Sequence, residues 1–204
     1  MTDYDYVQLV AARGAPARRD LIAHLSSAKT HAAGSGCELL GLFTAQLGWD
    51  AVEMALLVRW TGDRRERVLE DVLVAPQILS HTIQRLSPTV RPAGAAVLPA
   101  GGIYVHRWFE VAGGDIDEFV HLSQEAWKDF EPRFDAHVFG LFLAGETDVD
   151  RRGSSRRILL LTRYADHGVW EASRDPSTEA MRTFGRRALI TLNSRGASTL
   201  MVPL

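Results

Sequence analysis

The chain has 204 residues, 46% of them hydrophobic and 24% charged, so it can bury one large core or two small ones without a disulfide or structural metal. Its formal net charge of −2 and isoelectric point near 6.4 exclude the strongly basic proteins that bind nucleic acid through charge alone. Cys37 is the only cysteine, which excludes an internal disulfide.

The N-terminal segment predicts a cytoplasmic protein. Residues 1–5 carry neither the basic region nor the apolar region with which a signal peptide begins. No apolar run in the chain reaches the ~18 residues that span a bilayer. We therefore expect no membrane span, no nucleic-acid partner and a reducing compartment.

The first half of the chain predicts alternating strands and helices. In order, these are a strand over Tyr4–Val10, a helix after Gly14 and Pro16, a buried strand over Leu40–Ala45, a strand over Leu56–Trp60, a helical region over Arg64–Leu86 interrupted at Pro76, and a closing strand over Gly94–Pro99. Gly41 inside the buried strand indicates a bulge or a close backbone approach.

The second half predicts the same order of elements. It has a strand over Ile103–Val111, a helix whose apolar residues recur at steps of three and four between Ile116 and Phe134, strands over Phe139–Ala144 and Leu160–Tyr164, a helical region over Trp170–Leu192 with Pro176 in its first turn, and a closing strand over Gly196–Pro203. Gly140 occupies the position of Gly41.

Five blocks of sequence recur in the same order and indicate an internal duplication. The matched blocks are Tyr6-Val7 with Tyr104-Val105, residues 20–26 with 117–123, 40–45 with 139–144, 56–60 with 160–164, and 94–99 with 196–203. The first four offsets drift only from 97 to 104 residues, and the longer connection 145–157 of the second copy accounts for the drift. We predict two modules, residues 1–100 and 101–204.

Each module therefore reads as βαββαβ, the ferredoxin-like arrangement. Both helices cover one face of such an antiparallel sheet, which leaves an apolar second face that a soluble protein does not expose. The predicted fold class is α+β, with tandem ferredoxin-like modules of the dimeric α/β-barrel type whose sheets pack face to face. The sequence leaves open whether the barrel closes within one chain or between chains, and we expect a homodimer.

The second module resembles the NIPSNAP family. The resemblance lies in the run Ile103–Val111 with its Ile-Tyr pair and Arg107, in the glycine turn Gly113-Gly114 before an acidic helix start, and in Trp127, Gly140-Leu141-Phe142 and Arg163-Tyr164. The first module departs from this pattern, because Leu9 stands where the arginine is expected. The resemblance implies a dimeric α/β barrel. It implies no reaction, since that superfamily includes haem enzymes, cofactor-free monooxygenases and proteins without catalysis.

Five residues are the candidate ligand-binding residues. Strand alternation places Tyr104, His106 and Trp108 on one face of their strand and Arg107 on the other. The first three would form a polar-aromatic cluster, whereas Arg107 could hold an anionic group. Arg163 ends the third strand of its module, where an ion pair with an acidic residue such as Glu110 or Asp166 is favoured over a catalytic role. The sequence does not decide which face lines a cavity. The alternative for each residue is a structural one, in which a buried polar group is hydrogen-bonded or paired.

Other polar residues favour structural roles. His24 and His121 occupy equivalent positions, but His121 points away from the apolar stripe of its helix, so we expect surface histidines and no metal site. His81 in the first helical region also favours a partly buried surface position. Cys37 precedes an apolar run and is expected to be a buried structural cysteine. The chain has no phosphate-binding glycine loop, nucleophile elbow or zinc motif, so we predict no catalytic residue and no cofactor.

The sequence thus leaves two functions open. The first is a NIPSNAP-like protein that binds a small, partly apolar ligand or a protein partner through the barrel. The second is a cofactor-independent oxygenase or isomerase acting on a small organic molecule in the barrel cavity, with His106 or Arg107 as the polar group. A pocket of several hundred cubic ångströms lined by either side chain would favour the enzyme.

Overall fold

The computed structural model describes residues 2–204, and its elements follow the βαββαβ order in the first copy and, apart from two short additional helices, in the second. The first copy contains β1 (Asp3–Ala11), α1 (Ala15–Gly34), β2 (Cys37–Leu47), β3 (Glu53–Trp60), α2 (Glu66–Leu73) and β4 (Ile78–Arg91). The second contains β5 (Ile103–Ala112), α3 (Ile116–Arg133), β6 (Ala136–Ala144), α4 (Asp148–Gly153), β7 (Ser155–Tyr164), α5 (His167–Ala172), α6 (Glu179–Leu189) and β8 (Thr191–Val202). The predicted fold class, α+β with duplicated ferredoxin-like modules of the dimeric α/β-barrel type, is confirmed.

The chain divides into two compact units whose boundaries fall inside β4 and β8. One unit comprises the chain up to Ser87 together with Thr199–Leu204, and the other comprises Pro88–Ser198. The predicted modules 1–100 and 101–204 describe the sequence repeat and stay a prediction.

In the first unit, α1 and α2 pack on a sheet in which the strands lie in the antiparallel order β4-β1-β3-β2. Gly14 has a φ of 106° and directly precedes α1, and Pro16 lies in the first turn of that helix, as their sequence signals predict. Alternate residues of β1, among them Val7 and Leu9, join Leu21 and Leu25 of α1 in one buried cluster.

In the second unit, α3 and α6 pack together on the sheet formed by β8, β5, β7 and β6. The predicted stripe of α3 is buried at Phe119, Ser123, Trp127 and Phe130. The ring of Phe119 meets that of Phe109 edge-on at a centroid distance of 4.9 Å. This helix–sheet layer positions the candidate site described below.

Both glycines of the buried strands lie at irregularities of the sheet. The pairing register shifts between Leu39 and Gly41 in β2 and between Val138 and Gly140 in β6. A Cβ atom at Gly140 would overlap the ring of Phe142, so this position needs glycine for space as well as for the bulge. The sequence prediction is confirmed at both positions.

The predicted helical region Arg64–Leu86 is wrong beyond Leu73. Residues from Ile78 onward form β4, which pairs with β1 and includes His81. Leu86 is the one fully buried residue of β4, so the sequence shows neither the alternation nor the apolar run by which strands are recognised. The last repeat block is wrong for the same reason. Residues 94–99 form no strand, and the last strand of the first copy is β4, which corresponds to β8 of the second copy.

The helical region of the second module is also divided. α5 ends at Ala172, and α6 begins only after Thr178, whose hydroxyl oxygen accepts a hydrogen bond from the Met181 backbone N–H. Pro176 therefore lies in the connection and not in the first turn of the helix. Among residues 2–204, no helix has both the length and the apolar character needed to cross a membrane.

Candidate binding pocket

A pocket of about 540 Å³ lies in the second unit, between the sheet and helices α3 and α6. Its sheet side is formed by β5, β6 and β7, and its rim includes Gly185 of α6 and Leu192 at the start of β8. A volume of this size is typical of sites for small organic molecules.

Aromatic side chains form much of the pocket wall. Phe109, Trp127 and Phe130 are each at least 94% buried. The ring of Phe130 meets those of Phe184 and Tyr164 edge-on, at centroid distances of 5.8 and 6.0 Å. Because these rings hold one another in place, the wall is preformed and suits a flat, apolar ligand body.

Three arginines from different elements line the same pocket: Arg107 in β5, Arg174 after α5, and Arg187 in α6. Arg187 is only 5% exposed, and its Nη1 donates a hydrogen bond of 3.0 Å to Ser123 Oγ. Its guanidinium lies between 4.6 and 5.0 Å from the ring centroids of Phe109, Phe119 and Phe184. Those aromatic faces stabilise the buried cation in place of water.

The electrostatics of the pocket favour negative charge. Burial, reinforced by the positive charges of Arg107 and Arg174, lowers the pKa of Arg187 to about 9. Burial and the charge of Arg174 also lower the pKa of Arg107. Burial raises the pKa of the Tyr164 phenol, so this group is a neutral hydroxyl at pH 7. The guanidinium groups destabilise one another, and an anion would relieve that repulsion.

The structure separates the five candidate residues. Arg107 lines the pocket, whereas Tyr104, His106 and Trp108 alternate onto the opposite face of β5. Arg163 donates hydrogen bonds to Asp135 and to the Gly101 carbonyl oxygen outside the pocket. Arg107 therefore lies on the face of β5 that borders this pocket, and a ligand role for all five residues stays a prediction.

Tyr104 and His106 are fully enclosed. The Tyr104 hydroxyl donates to the Pro99 carbonyl oxygen, and burial raises the pKa of this phenol. Burial lowers the pKa of His106 to about 3, so its imidazole is neutral at pH 7.

Sequence reasoning missed Arg174 and Arg187. Arg187 follows Ala180, Thr183 and Phe184 at the spacing of one helix face, so it is an arginine within an apolar stripe. That unusual position was a usable signal. Arg174 lies in a connection without periodicity, where the sequence carries no such signal.

The histidines and the cysteine give no second site. His121 is exposed, but His24 is half-buried, with its Nε2 2.9 Å from the Val72 carbonyl oxygen. Cys37 is buried as predicted, and burial together with the charge of Asp5 raises its thiol pKa to about 12, which disfavours the reactive thiolate. No group of three or more metal-ligating side chains occurs among residues 2–204.

Comparison with known proteins shows the fold. No family model matches the chain, and no curated protein matches its sequence, so the NIPSNAP resemblance stays an interpretation. Solved structures with a similar fold include a protein from Lactobacillus acidophilus with a proposed monooxygenase assignment (TM-score 0.62, 10% identity, 98% of this chain and 93% of that one). An anthrone oxidase-like protein (0.61, 11%, 99% and 92%) and a haem-binding protein from Thermus thermophilus (0.57, 9%, 100% and 92%) are also similar.

The residues of the pocket do not fit a haem group. Haem iron is held in proteins by histidine, cysteine, methionine or tyrosine. Neither a histidine nor a cysteine lines this pocket. Tyr164 Oη lies 3.5 Å from Arg174 Nη2 and its pKa is raised, which disfavours the phenolate form that would bind iron. Met181 is the remaining candidate, and a single thioether is a weak ligand for haem iron.

Proposed function

We propose that this protein is a cofactor-independent oxygenase that binds a small, partly apolar organic molecule between the sheet and helices of its second unit. The observation that carries the proposal is the pocket of about 540 Å³, which combines aromatic walls with Arg107. Similarity in fold to an anthrone oxidase-like protein and to the monooxygenase candidate supports oxygenation as the reaction. The proposed site is the helix–sheet pocket and not the barrel cavity considered from the sequence.

The chemistry needs no bound cofactor if the substrate supplies the electrons. A substrate that loses a carbon-bound proton to water becomes an electron-rich carbanion, which passes an electron to dioxygen. Recombination then gives a hydroperoxide. For a methylene group, protonation of the peroxide and loss of water leave a ketone, so CH₂ and O₂ become C=O and H₂O. Positive charge from Arg107 and Arg174 would stabilise the carbanion and lower the pKa of the substrate.

Replacing Gly185 with phenylalanine is expected to block the pocket. Gly185 lines its rim, and a Cβ atom at this position has no protein atom within 4 Å. The ring can therefore enter the opening without displacing the core. With anthrone as the probe substrate, we expect Gly185→Phe to lower the initial rate of dioxygen consumption by roughly tenfold or more. An oxygen electrode, with anthraquinone formation followed by absorbance, measures this rate.

Gly34→Phe is the matched control. Gly34 is also a helical glycine with open space around its Cβ position, but it lies in α1 of the first unit. This variant is expected to keep the wild-type rate. If wild-type protein binds anthrone without consuming dioxygen, the oxygenase proposal fails and a binding protein remains. If Gly185→Phe oxidises anthrone at the wild-type rate, the pocket is not the site.

Membership of the NIPSNAP family, a homodimeric state and a cytoplasmic location are further proposals, which the sequence favours. Sedimentation equilibrium tests the dimer directly. A molecular mass of about twice the 22.6 kDa of the chain is expected.

A further inference from the structure

The three arginines of the pocket lack acidic partners. Elsewhere in the protein, buried or half-buried arginines pair with carboxylates, as Arg157 does with Asp150 and Arg91 with Glu131. No ion pair joins Arg107, Arg174 or Arg187 to any carboxylate within the described residues 2–204. Neither aspartate nor glutamate lines the pocket. Buried charges in proteins are normally paired, so three unpaired cations at one cavity indicate a missing anion.

Two buried hydrogen-bond donors at the pocket also lack partners. The Nε of Arg174 and the indole Nε1 of Trp127 are both inaccessible to water and bonded to no acceptor. Both side chains line the pocket. A buried donor without an acceptor is costly, so a ligand oxygen would stabilise either side chain once a small rotation brings the donor to the pocket surface.

The pocket also restricts how the ligand is ionised. Its lining contains no histidine or carboxylate that could remove a proton. The Tyr164 phenol is neutral and Arg187 is largely protonated at pH 7. A ligand that must be an anion therefore has to be acidic itself and to enter already ionised, or to lose its proton to water under the influence of the arginines.

We propose that the ligand of this pocket is an aromatic acid, whose carboxylate or ionised enol oxygens are held by Arg107 and Arg174 and whose flat body packs against Trp127 and Phe130. This inference rests on the proposed pocket. It holds equally for an oxygenase and for a binding protein, because it concerns the charge of the ligand and not its reaction. Guanidinium groups suit it, since they bind planar oxyanions through two parallel hydrogen bonds.

A pair of fluorescent probes separates charge from shape. 1-Anilinonaphthalene-8-sulfonate and N-phenyl-1-naphthylamine have the same aromatic body, but only the first carries an anionic group. We expect the sulfonate to bind wild-type protein on the order of tenfold more tightly than the neutral amine. Arg107→Met and Arg174→Met are each expected to weaken sulfonate binding by about tenfold and to change binding of the amine by less than about twofold. Fluorescence titration at constant ionic strength gives the dissociation constants.

The control variants distinguish the two proposals. Arg182→Met removes an arginine of α6 that pairs with Glu179 outside the pocket, and it is expected to leave both affinities unchanged. Gly185→Phe is expected to weaken both probes, and if it weakens neither, the proposed pocket itself fails. If both probes bind in the pocket equally well, or if the arginine variants weaken both alike, the pocket stands and the anionic ligand is refuted.

Discussion

Replacing Arg187 with methionine is expected to increase the free energy of unfolding by about 1–4 kcal/mol at pH 7, the range seen when buried ion pairs are replaced by well-packed apolar residues. Arg187 is nearly inaccessible to water, has no carboxylate partner and is repelled by Arg107 and Arg174. Methionine removes the buried charge and keeps contact with the surrounding rings. Ser123 still donates its hydroxyl hydrogen bond to the Phe119 carbonyl oxygen. Urea unfolding at equilibrium measures the change.

The pH dependence of this variant checks the cause. The pKa of Arg187 is about 9 in the folded protein and near 12.5 when unfolded, so the cost of its charge is fully present below pH 9. That cost decreases as the pH rises above 9, because the folded protein then loses the proton first. The advantage of Arg187→Met is therefore expected to shrink by about 1 kcal/mol between pH 7 and pH 10.

Arg182→Met is again the control, since its arginine is exposed and paired with Glu179. A surface change of this kind alters stability by no more than about 0.5 kcal/mol. A lower unfolding midpoint for Arg187→Met at pH 7 would mean that the contacts of the cation with Phe109, Phe119 and Phe184 outweigh its desolvation. The same variant is expected to bind the anionic probe less tightly, so stability and ligand binding oppose each other at this position.

Acid is expected to destabilise the protein through His106. This imidazole is 1% exposed, and burial lowers its pKa to about 3, against about 6.5 in the unfolded chain. Above pH 6.5 both states are neutral and the group has no effect on stability. Below that pH only the unfolded chain takes up the proton, which lowers the free energy of unfolding by about 2 kcal/mol at pH 5.

His106→Gln is expected to remove that part of the pH dependence, because glutamine does not titrate. Unfolding free energies at pH 7 and pH 5 measure the difference, and the equivalent variant of the exposed His121 should retain the wild-type slope. Asp150 does not contribute to the stability difference between pH 5 and pH 7. Burial raises the pKa of Asp150, but hydrogen bonds from Arg157 and Thr147 outweigh this and lower it to about 2, so its contribution is lost only below pH 4. Equal slopes for wild type and His106→Gln would refute the prediction.

Sequence reasoning performed well where burial leaves a periodic pattern. The strand at Ile103, the apolar stripe of α3 and the bulges at Gly41 and Gly140 all follow from residues that pack against a core. It failed at β4, where His81 and its neighbours are exposed and the strand is defined by its hydrogen bonds to β1. A strand that is stabilised mainly by backbone hydrogen bonds to its neighbour shows little recognisable pattern in its own side chains.

The candidate site was likewise predicted only in part from the sequence. Alternation along β5 placed Arg107 and His106 on opposite faces, but nothing local to that strand indicated which face bordered a pocket. That choice depends on helix α6, whose residues follow Arg107 by more than seventy positions. Arg174 and Arg187 meet Arg107 only because α5 and α6 pack on the same sheet.

By itself, the sequence determined the duplication, the ferredoxin-like order of elements and the buried stripe of α3, because burial of apolar side chains imposes a period on neighbouring residues. Only the tertiary structure decided where a cavity remains and which charges meet there. In the first unit the core includes Leu9, whereas in the second unit Arg107 holds the corresponding strand position beside an open pocket. Whether a cavity remains depends on the combined volume of side chains that are distant in the sequence. No local sequence pattern shows that combined volume.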